Sequence, residues 1–314
     1  LWKHDLVSQM VGEFPELQGL IGGKYLLEEG ESRAVALAVV EHYQPRGAGD
    51  ALPSSDAGAV VALAERLELL LSIYAKGERP SGSSDPYALR RAGNGILQIL
   101  WERGWRLNLL ELLKAAARRW QELLPAFAVD TDVLVTDLVL LLRQRIQSQL
   151  EDDGHAPDLV QAVAGDAVSD ERLLCDPIDV LDRIRLLSQL RQQNRLVAVQ
   201  AVVQRAARLA EKGDLSRGVL DAADAVDPKR FTSPSEQAMY GVVQQLKPLA
   251  QARNYQALAH ALVEATPTLE AFFDGDQSVM VMADDPELRR NRLNLLSVLR
   301  NQAGVLAQFE RIQA

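Results

Sequence analysis

The stretch from Arg79 to Leu100, RPSGSSDPYALRRAGNGILQIL, turns abruptly from chain that resists regular structure to chain with one clear period. Pro80, Gly82, Ser83 and Ser84 favour turns and make residues 79–84 a loop. Leu89, Ala92, Gly93, Ile96, Leu97 and Leu100 then recur at the spacing that an α-helix gathers into one buried stripe. Asp85 is placed to cap the first N–H groups of that helix. Pro86 suits its first position, where a missing N–H is no loss. Gly93 and Gly95 each cost a helix roughly 1 kcal/mol against alanine, so a neighbour is expected to pack closely on the helix backbone. Arg90 and Arg91 stand at the positive end of the helix dipole and want an anionic partner, either a neighbouring carboxylate or a phosphate.

Helical spacing runs through most of the chain. Leu, Ala, Val, Gln and Arg abound while aromatics make up 5%, a balance that favours helix over sheet, and the expected class is all-α. Apolar content of 47% in 314 residues supports two or three packed domains. Leu6, Met10 and Val11 open a first stripe, which Glu13-Phe14-Pro15 ends. Leu17, Leu20 and Ile21 continue on a short helix stopped by Gly22-Gly23. Helices are expected over Ser32–Tyr43, over Ala57–Tyr74 with Asp56 as cap, and over Leu109–Leu123 with Asn108 as cap. Val133–Leu142 is apolar on most faces, as in a helix buried between neighbours. Asp179–Glu211 reads as one long helical stretch, and residues 236–252 and 255–265 as an antiparallel pair. Asp284 or Asp285, with Pro286, starts the last helix. No fixed period recurs, which excludes a solenoid.

No apolar run approaches the roughly 18–20 residues a membrane span needs. A single cysteine, Cys175, excludes an internal disulfide and a cysteine-based metal cluster, as in a reducing cytosol. The net charge of −9 argues against general affinity for nucleic acid but leaves room for local basic patches. Three are visible: Arg90–Arg91; Lys114, Arg118 and Arg119 on one polar helix face; and Arg289, Arg290 and Arg292 beside Asn291. There is no P-loop, dinucleotide fingerprint, nucleophile elbow or HExxH motif, and no catalytic residue is assigned. His42 and Asp50, with His4-Asp5 and Glu65, are the residue types of a metal site. The other reading of them is a helical scaffold in which His42 is merely hydrogen-bonded or solvated.

Four segments resemble, in order, the β subunit of bacterial glycyl-tRNA synthetase, the two-subunit form of that enzyme. They are Asp5–Gly22 (DLVSQMVGEFPELQGLIG), Glu41–Pro53 (EHYQPRGAGDALP), Ser81–Leu100 (SGSSDPYALRRAGNGILQIL) and Phe272–Leu296 (FFDGDQSVMVMADDPELRRNRLNLL). The chain departs from the family pattern around Gly275–Gln277 and in the tail Ala303–Ala314. The resemblance implies an HD-like helical domain over residues 1–125, a helical connector over 126–178, and an all-helical anticodon-binding (DALR-like) domain over 179–314. This chain would then be the C-terminal portion of a longer β subunit. In such an enzyme the α subunit holds the site for ATP and glycine and the β subunit positions glycine tRNA. The resemblance therefore implies a glycine–tRNA ligase, α2β2, cytoplasmic and away from membranes. The holoenzyme uses ATP and Mg, and this part of it is non-catalytic with no cofactor of its own. The candidate tRNA contacts are Arg90, Arg91, Lys114, Arg118, Arg119, Arg289, Arg290, Asn291 and Arg292. RNA bases are commonly read by stacking and by hydrogen bonds along their edges, chemistry that Arg and Asn supply. The alternatives are a metal-dependent HD-type phosphohydrolase using His42 and Asp50, or a helical protein-interaction scaffold.

Overall fold

A computed structural model describes residues 2–313, and among them the all-α expectation is met. No strand forms; Ser81 and Ser84 make one isolated bridge. In chain order the first helices are α1 (Gln9–Glu13), α2 (Leu20–Glu28), α3 (Arg33–Glu41), α4 (Asp56–Ala75), α5 (Leu89–Arg103), α6 (Leu109–Leu123) and α7 (Thr131–Asp152). They are followed by α8 (Pro157–Ala164), α9 (Asp170–Leu174), α10 (Pro177–Gln192) and α11 (Leu196–Ala210). The last three are α12 (Pro234–Gln251), α13 (Tyr255–Phe273) and α14 (Pro286–Gly304). No helix among the described residues is long and apolar enough to cross a membrane. The chain divides into two compact units, Leu1–Leu150 with Val168–Asp179, and Glu151–Ala167 with Val180–Ala314.

In the first unit Leu70, Leu97, Leu100, Leu113, Leu138 and Leu142, from α4 to α7, are fully buried. Small residues set how closely the helices approach. A Cβ on Gly23 would lie 2.5 Å from Val40 Cγ2 and 2.9 Å from the Ala36 carbonyl, so α2 presses backbone against α3. The close neighbours expected at Gly93 and Gly95 are Arg145, whose Cγ would sit 3.0 Å from a Cβ at 93, and Arg66, whose guanidinium would overlap one at 95. Glu41 ends α3 and is almost fully buried. Its carboxylate accepts from the Ser54 and Ser55 N–H groups at 2.8 and 3.1 Å and from both hydroxyls. Ser55 Oγ in turn accepts from Gly58 N and caps α4. One buried acid thus ties the end of α3 to the start of α4.

In the second unit α11, α12, α13 and α14 pack together around Val203, Val243, Leu258, Phe272, Leu296 and Leu299. Helix α14 is buried from Asn291 to Ala303 on every face, polar residues included. Its side chains hold the irregular segment 214–233 by the main chain. Asn294 Nδ2 donates to the Ala225 carbonyl, Asn301 Nδ2 to those of Ser216 and Val219, and Gln302 Nε2 to that of Leu220, all at 2.7–2.9 Å. The tail that departs from the family pattern is also fastened. Gln308 N donates to Ala162 O, Gln200 Nε2 to Ile312 O, and Phe309 and Ile312 are buried.

Several local expectations are corrected. Helix α5 begins at Leu89, because Ala88 is left-handed (φ 57°) and Asp85–Ala88 closes a turn. Asp85 still caps it from outside that turn, accepting from Leu89 N and Arg90 N at 2.7 and 3.0 Å, while Pro86 stays in the turn. Ser55 rather than Asp56 caps α4. The stretch Asp179–Glu211 is two helices, broken where Asn194 takes φ 56°, a conformation asparagine tolerates better than most residues. Helix α13 runs through Pro267 to Phe273 because Leu269, Phe272 and Phe273 beyond the proline are buried, and packing overrides propensity.

Asn301→Ala leaves two carbonyls without their donor and is expected to destabilise the protein by about 1–3 kcal/mol, measured as a lower urea midpoint. Burial pushes the Glu41 carboxyl up, and the Ser54 and Ser55 hydrogen bonds more than reverse this, leaving it below the usual range. Its contribution is therefore present above the unfolded value of about 4.3 and is lost as pH falls through the lower folded value. Glu41→Gln is expected to destabilise by about 1–3 kcal/mol near neutrality and to flatten that acid limb in a pH series of denaturation midpoints.

Candidate nucleic-acid interface

The basic residues singled out in the sequence meet different fates once folded. At the start of α5, Arg90 Nη2 donates to the Gly82 carbonyl at 2.8 Å and so braces the loop before the helix. Arg91, one residue on, is exposed and has no hydrogen-bond or ion-pair partner among the described residues. On α6, Lys114 pairs with Glu111 at 2.9 Å and Arg119 with Glu122 at 3.0 Å, both within the helix and in solvent. The Glu111 hydrogen bond raises the Lys114 pKa, which keeps the ammonium charged. Arg118 is exposed beside Lys114 in a cleft of about 300 Å³ that Asp132, Asp170 and Glu171 also line. The α6 patch therefore has a mixed field rather than a purely positive one.

The α14 group splits in two. Asn291 is buried and pairs with the main chain of Asp227, accepting from its N at 2.7 Å and donating to its O at 3.1 Å. Arg292 is buried too and spends its donors inside the unit. Nε reaches Glu236 Oε1 at 2.8 Å, Nη1 the Met280 carbonyl at 2.9 Å, and Nη2 Thr232 Oγ1 at 2.8 Å. Burial pushes the Glu236 carboxyl up, and Arg292 with the Thr232 and Ser233 N–H groups brings it below the ordinary range. These two side chains fasten the loop before α12 and the loop between α13 and α14, and a base or phosphate could reach them only by displacing those contacts. Arg289 and Arg290 remain toward solvent. Arg289 Nη1 lies 3.4 Å from the Ala283 carbonyl, and Arg290 approaches Asp214 at 3.8 Å with both side chains more than two-thirds exposed.

His42 is fully buried, and its Nδ1 lies 2.6 Å from the Val39 carbonyl. Burial lowers its pKa, which favours the neutral ring with Nδ1–H donating. Its Nε2 and the Oδ1 of buried Asp5 have no hydrogen-bond partner. Asp50, in contrast, is exposed and accepts from the N–H groups of Arg46 and Gly47 at 3.0 and 2.9 Å, closing its own turn. Among the described residues no three or more His, Cys, Asp or Glu side chains are grouped to hold a metal ion.

Two arginines that the sequence reading passed over come together with Arg91. Arg46, Arg66 and Arg91 line one cleft of about 440 Å³ with Tyr43, Glu65 and Gln18. A signal for Arg66 was present in the sequence. It falls on the stripe Ala59, Ala62, Leu70, where a charge is out of place unless it has work to do.

A sequence model for the family described as the glycyl-tRNA synthetase beta subunit matches residues 1–165, more than half of the chain. The chain belongs to the glycyl-tRNA synthetase β-subunit family. Glycine--tRNA ligase beta subunits from Picosynechococcus sp. and Acaryochloris marina are 46% and 45% identical to it over 99% of its length. That of Acinetobacter baylyi is 36% identical over all of it. The chain spans 43–44% of these relatives' own lengths. Similarity over nearly the whole of this chain, in relatives from Picosynechococcus to Acinetobacter, agrees with the four ordered segments that first suggested the family.

Removing Arg292 alone strands a buried carboxylate. Arg292→Met is expected to destabilise by about 3–5 kcal/mol, and Glu236→Gln in the same chain to recover most of it while keeping the α12 cap. Chemical denaturation of the two variants checks this; equal losses would mean that the charge pair is not what holds the loops.

Proposed function

We propose that this chain is a tRNA-positioning part of a glycine--tRNA ligase, in which glycylation with ATP and Mg takes place on a partner α subunit in an α2β2 cytoplasmic enzyme. The observation that carries the proposal is 46% identity over 99% of the chain to a protein named as the beta subunit of that ligase. On this reading residues 1–125 are the HD-like domain and residues 179–314 the DALR-like domain that takes the anticodon arm. The guanidinium groups of half-buried Arg289 and exposed Arg290 contact RNA phosphate or unpaired bases, for which planar, always-charged donors are suited. Asn291 and Arg292 act through them by fixing the helix and its flanking loops. The net charge of −9 makes such contacts local, so binding depends on a few cations rather than on a general field.

Reversing the charge at Arg289 and Arg290 in the intact β subunit paired with its α subunit tests the proposal. The double variant Arg289→Glu/Arg290→Glu is expected to weaken glycine tRNA binding by about tenfold or more. It should also lower the slope of log affinity against log salt by about 1.5–2. Unchanged affinity and slope in a folded variant would remove both residues from the interface.

A further inference from the structure

The cleft formed by Arg46, Arg66 and Arg91 has a charge that its own surroundings leave unanswered. Arg66 forms the floor. It is 5% exposed, and its guanidinium donates only to carbonyl oxygens: His42 at 3.1 Å, Ala62 at 2.9 Å, Tyr43 at 3.4 Å and Pro45 at 2.8 Å. Carbonyl dipoles orient a buried cation without neutralising it. The nearest carboxylate, Glu65, stands 3.8 Å away and is already taken by Lys3 at 2.8 Å. Burial lowers the Arg66 pKa, and Glu65 only partly opposes it.

Two more guanidinium groups stand at the rim. Arg46 is exposed, hydrogen-bonds the Gln18 carbonyl and lies with its Cζ 5.5 Å from the centre of the Tyr43 ring. Arg91 reaches the same space from α5 with no hydrogen-bond or ion-pair partner among the described residues. Three arginines thus share the cleft with a single carboxylate. The free N–H groups at the start of α5 do not contribute, because Asp85 covers them. The attraction comes from side chains, and arginine forks match the oxygens of a phosphate. A volume of about 440 Å³ falls in the range of small-ligand sites.

We propose that this cleft binds a phosphate group, with Arg46 and Arg91 as its direct donors and Arg66 as the fixed positive floor. The phosphate has two chemical sources, a phosphodiester of an RNA backbone or a free phosphate ester. Only the first of these rests on the tRNA-positioning reading above. The cleft lies wholly within the first unit and is built from other elements than the α14 surface invoked there.

The test uses the intact β subunit with its α subunit, as wild type, Arg91→Gln and Arg46→Gln/Arg91→Gln. Arg91→Gln removes a side chain with no hydrogen-bond or ion-pair partner among the described residues, and an unchanged midpoint in chloride separates a loss of binding from a loss of fold. Glycine tRNA affinity is measured across a salt series, and the thermal midpoint is measured in inorganic phosphate against chloride at matched ionic strength. With an RNA phosphodiester in the cleft, the double variant binds tRNA about tenfold more weakly with a salt slope lower by about 1–2, and phosphate shifts no midpoint. With a free phosphate ester, phosphate raises the wild-type midpoint but not the double variant's, and tRNA binding is unchanged. If wild type binds tRNA and the variants match it in both measurements, the cleft proposal is wrong while the tRNA reading survives. If wild type binds no tRNA, that reading fails, and the phosphate midpoint alone decides the cleft.

Discussion

Buried carbonyl oxygens must find donors, and in this protein side chains supply them where helices cannot. A carbonyl shut away from water without a partner costs as much as a lost hydrogen bond. The segments 42–45 and 214–233 run beside packed helices with no more than two short 3-10 turns of their own, so most of their carbonyls face that cost. In the first unit Arg66 answers it with one guanidinium for three of these carbonyls, those of His42, Tyr43 and Pro45. In the second, α14 answers it with Asn294, Asn301 and Gln302. The helices could pack without these contacts, but the loops between them would have no defined path.

This device explains which parts of the fold could be read in advance. Apolar stripes on a 3.6-residue period located most of the helices, and Asn108 and the Asp285–Pro286 pair marked their starts correctly, but α2 runs through Gly22 and Gly23, where a stop was expected. The method presumes that polar residues lie outside. Helix α14 violates that presumption, since NRLNLLSVLRNQ is buried on all sides and its polar residues bond main chain or, as Arg292 does with Glu236, a buried side chain. Asn291 and Arg292 looked like surface donors for the same reason. Positive φ at Ala88 and Asn194 was equally hidden, because neither residue demands it. Glycine would have announced such a turn; alanine does not.

Family membership came from ordered segments, yet the properties of the candidate site came only with coordinates. In the sequence, nine polar residues stood as equals. Folding distinguishes those whose donors are spent within the protein, such as Arg292, from those such as Arg91 and Arg290 that still face solvent. It also adds Arg46 and Arg66, which lie 20 positions apart in the chain. The Glu41–Pro53 segment shows why a family pattern can be structural. Its glutamate, with Ser54 and Ser55 just beyond the segment, forms the carboxylate-centred joint between α3 and α4, and its aspartate closes the turn that carries Arg46.

The α14 tethers have a further consequence for how segment 214–233 behaves in solution. A protease must draw out an extended strand of substrate, which the amide side chains of α14 oppose by gripping the loop at several points along its length. Deuterium exchanges at the nitrogens, and many of these are held as well, Val226 N by the Ala222 carbonyl and Asp227 N by Asn291 Oδ1. Resistance to cleavage and slow isotope uptake ordinarily accompany each other as signs of local order. Both should appear here, in a stretch of chain whose sequence alone would pass for a loose linker.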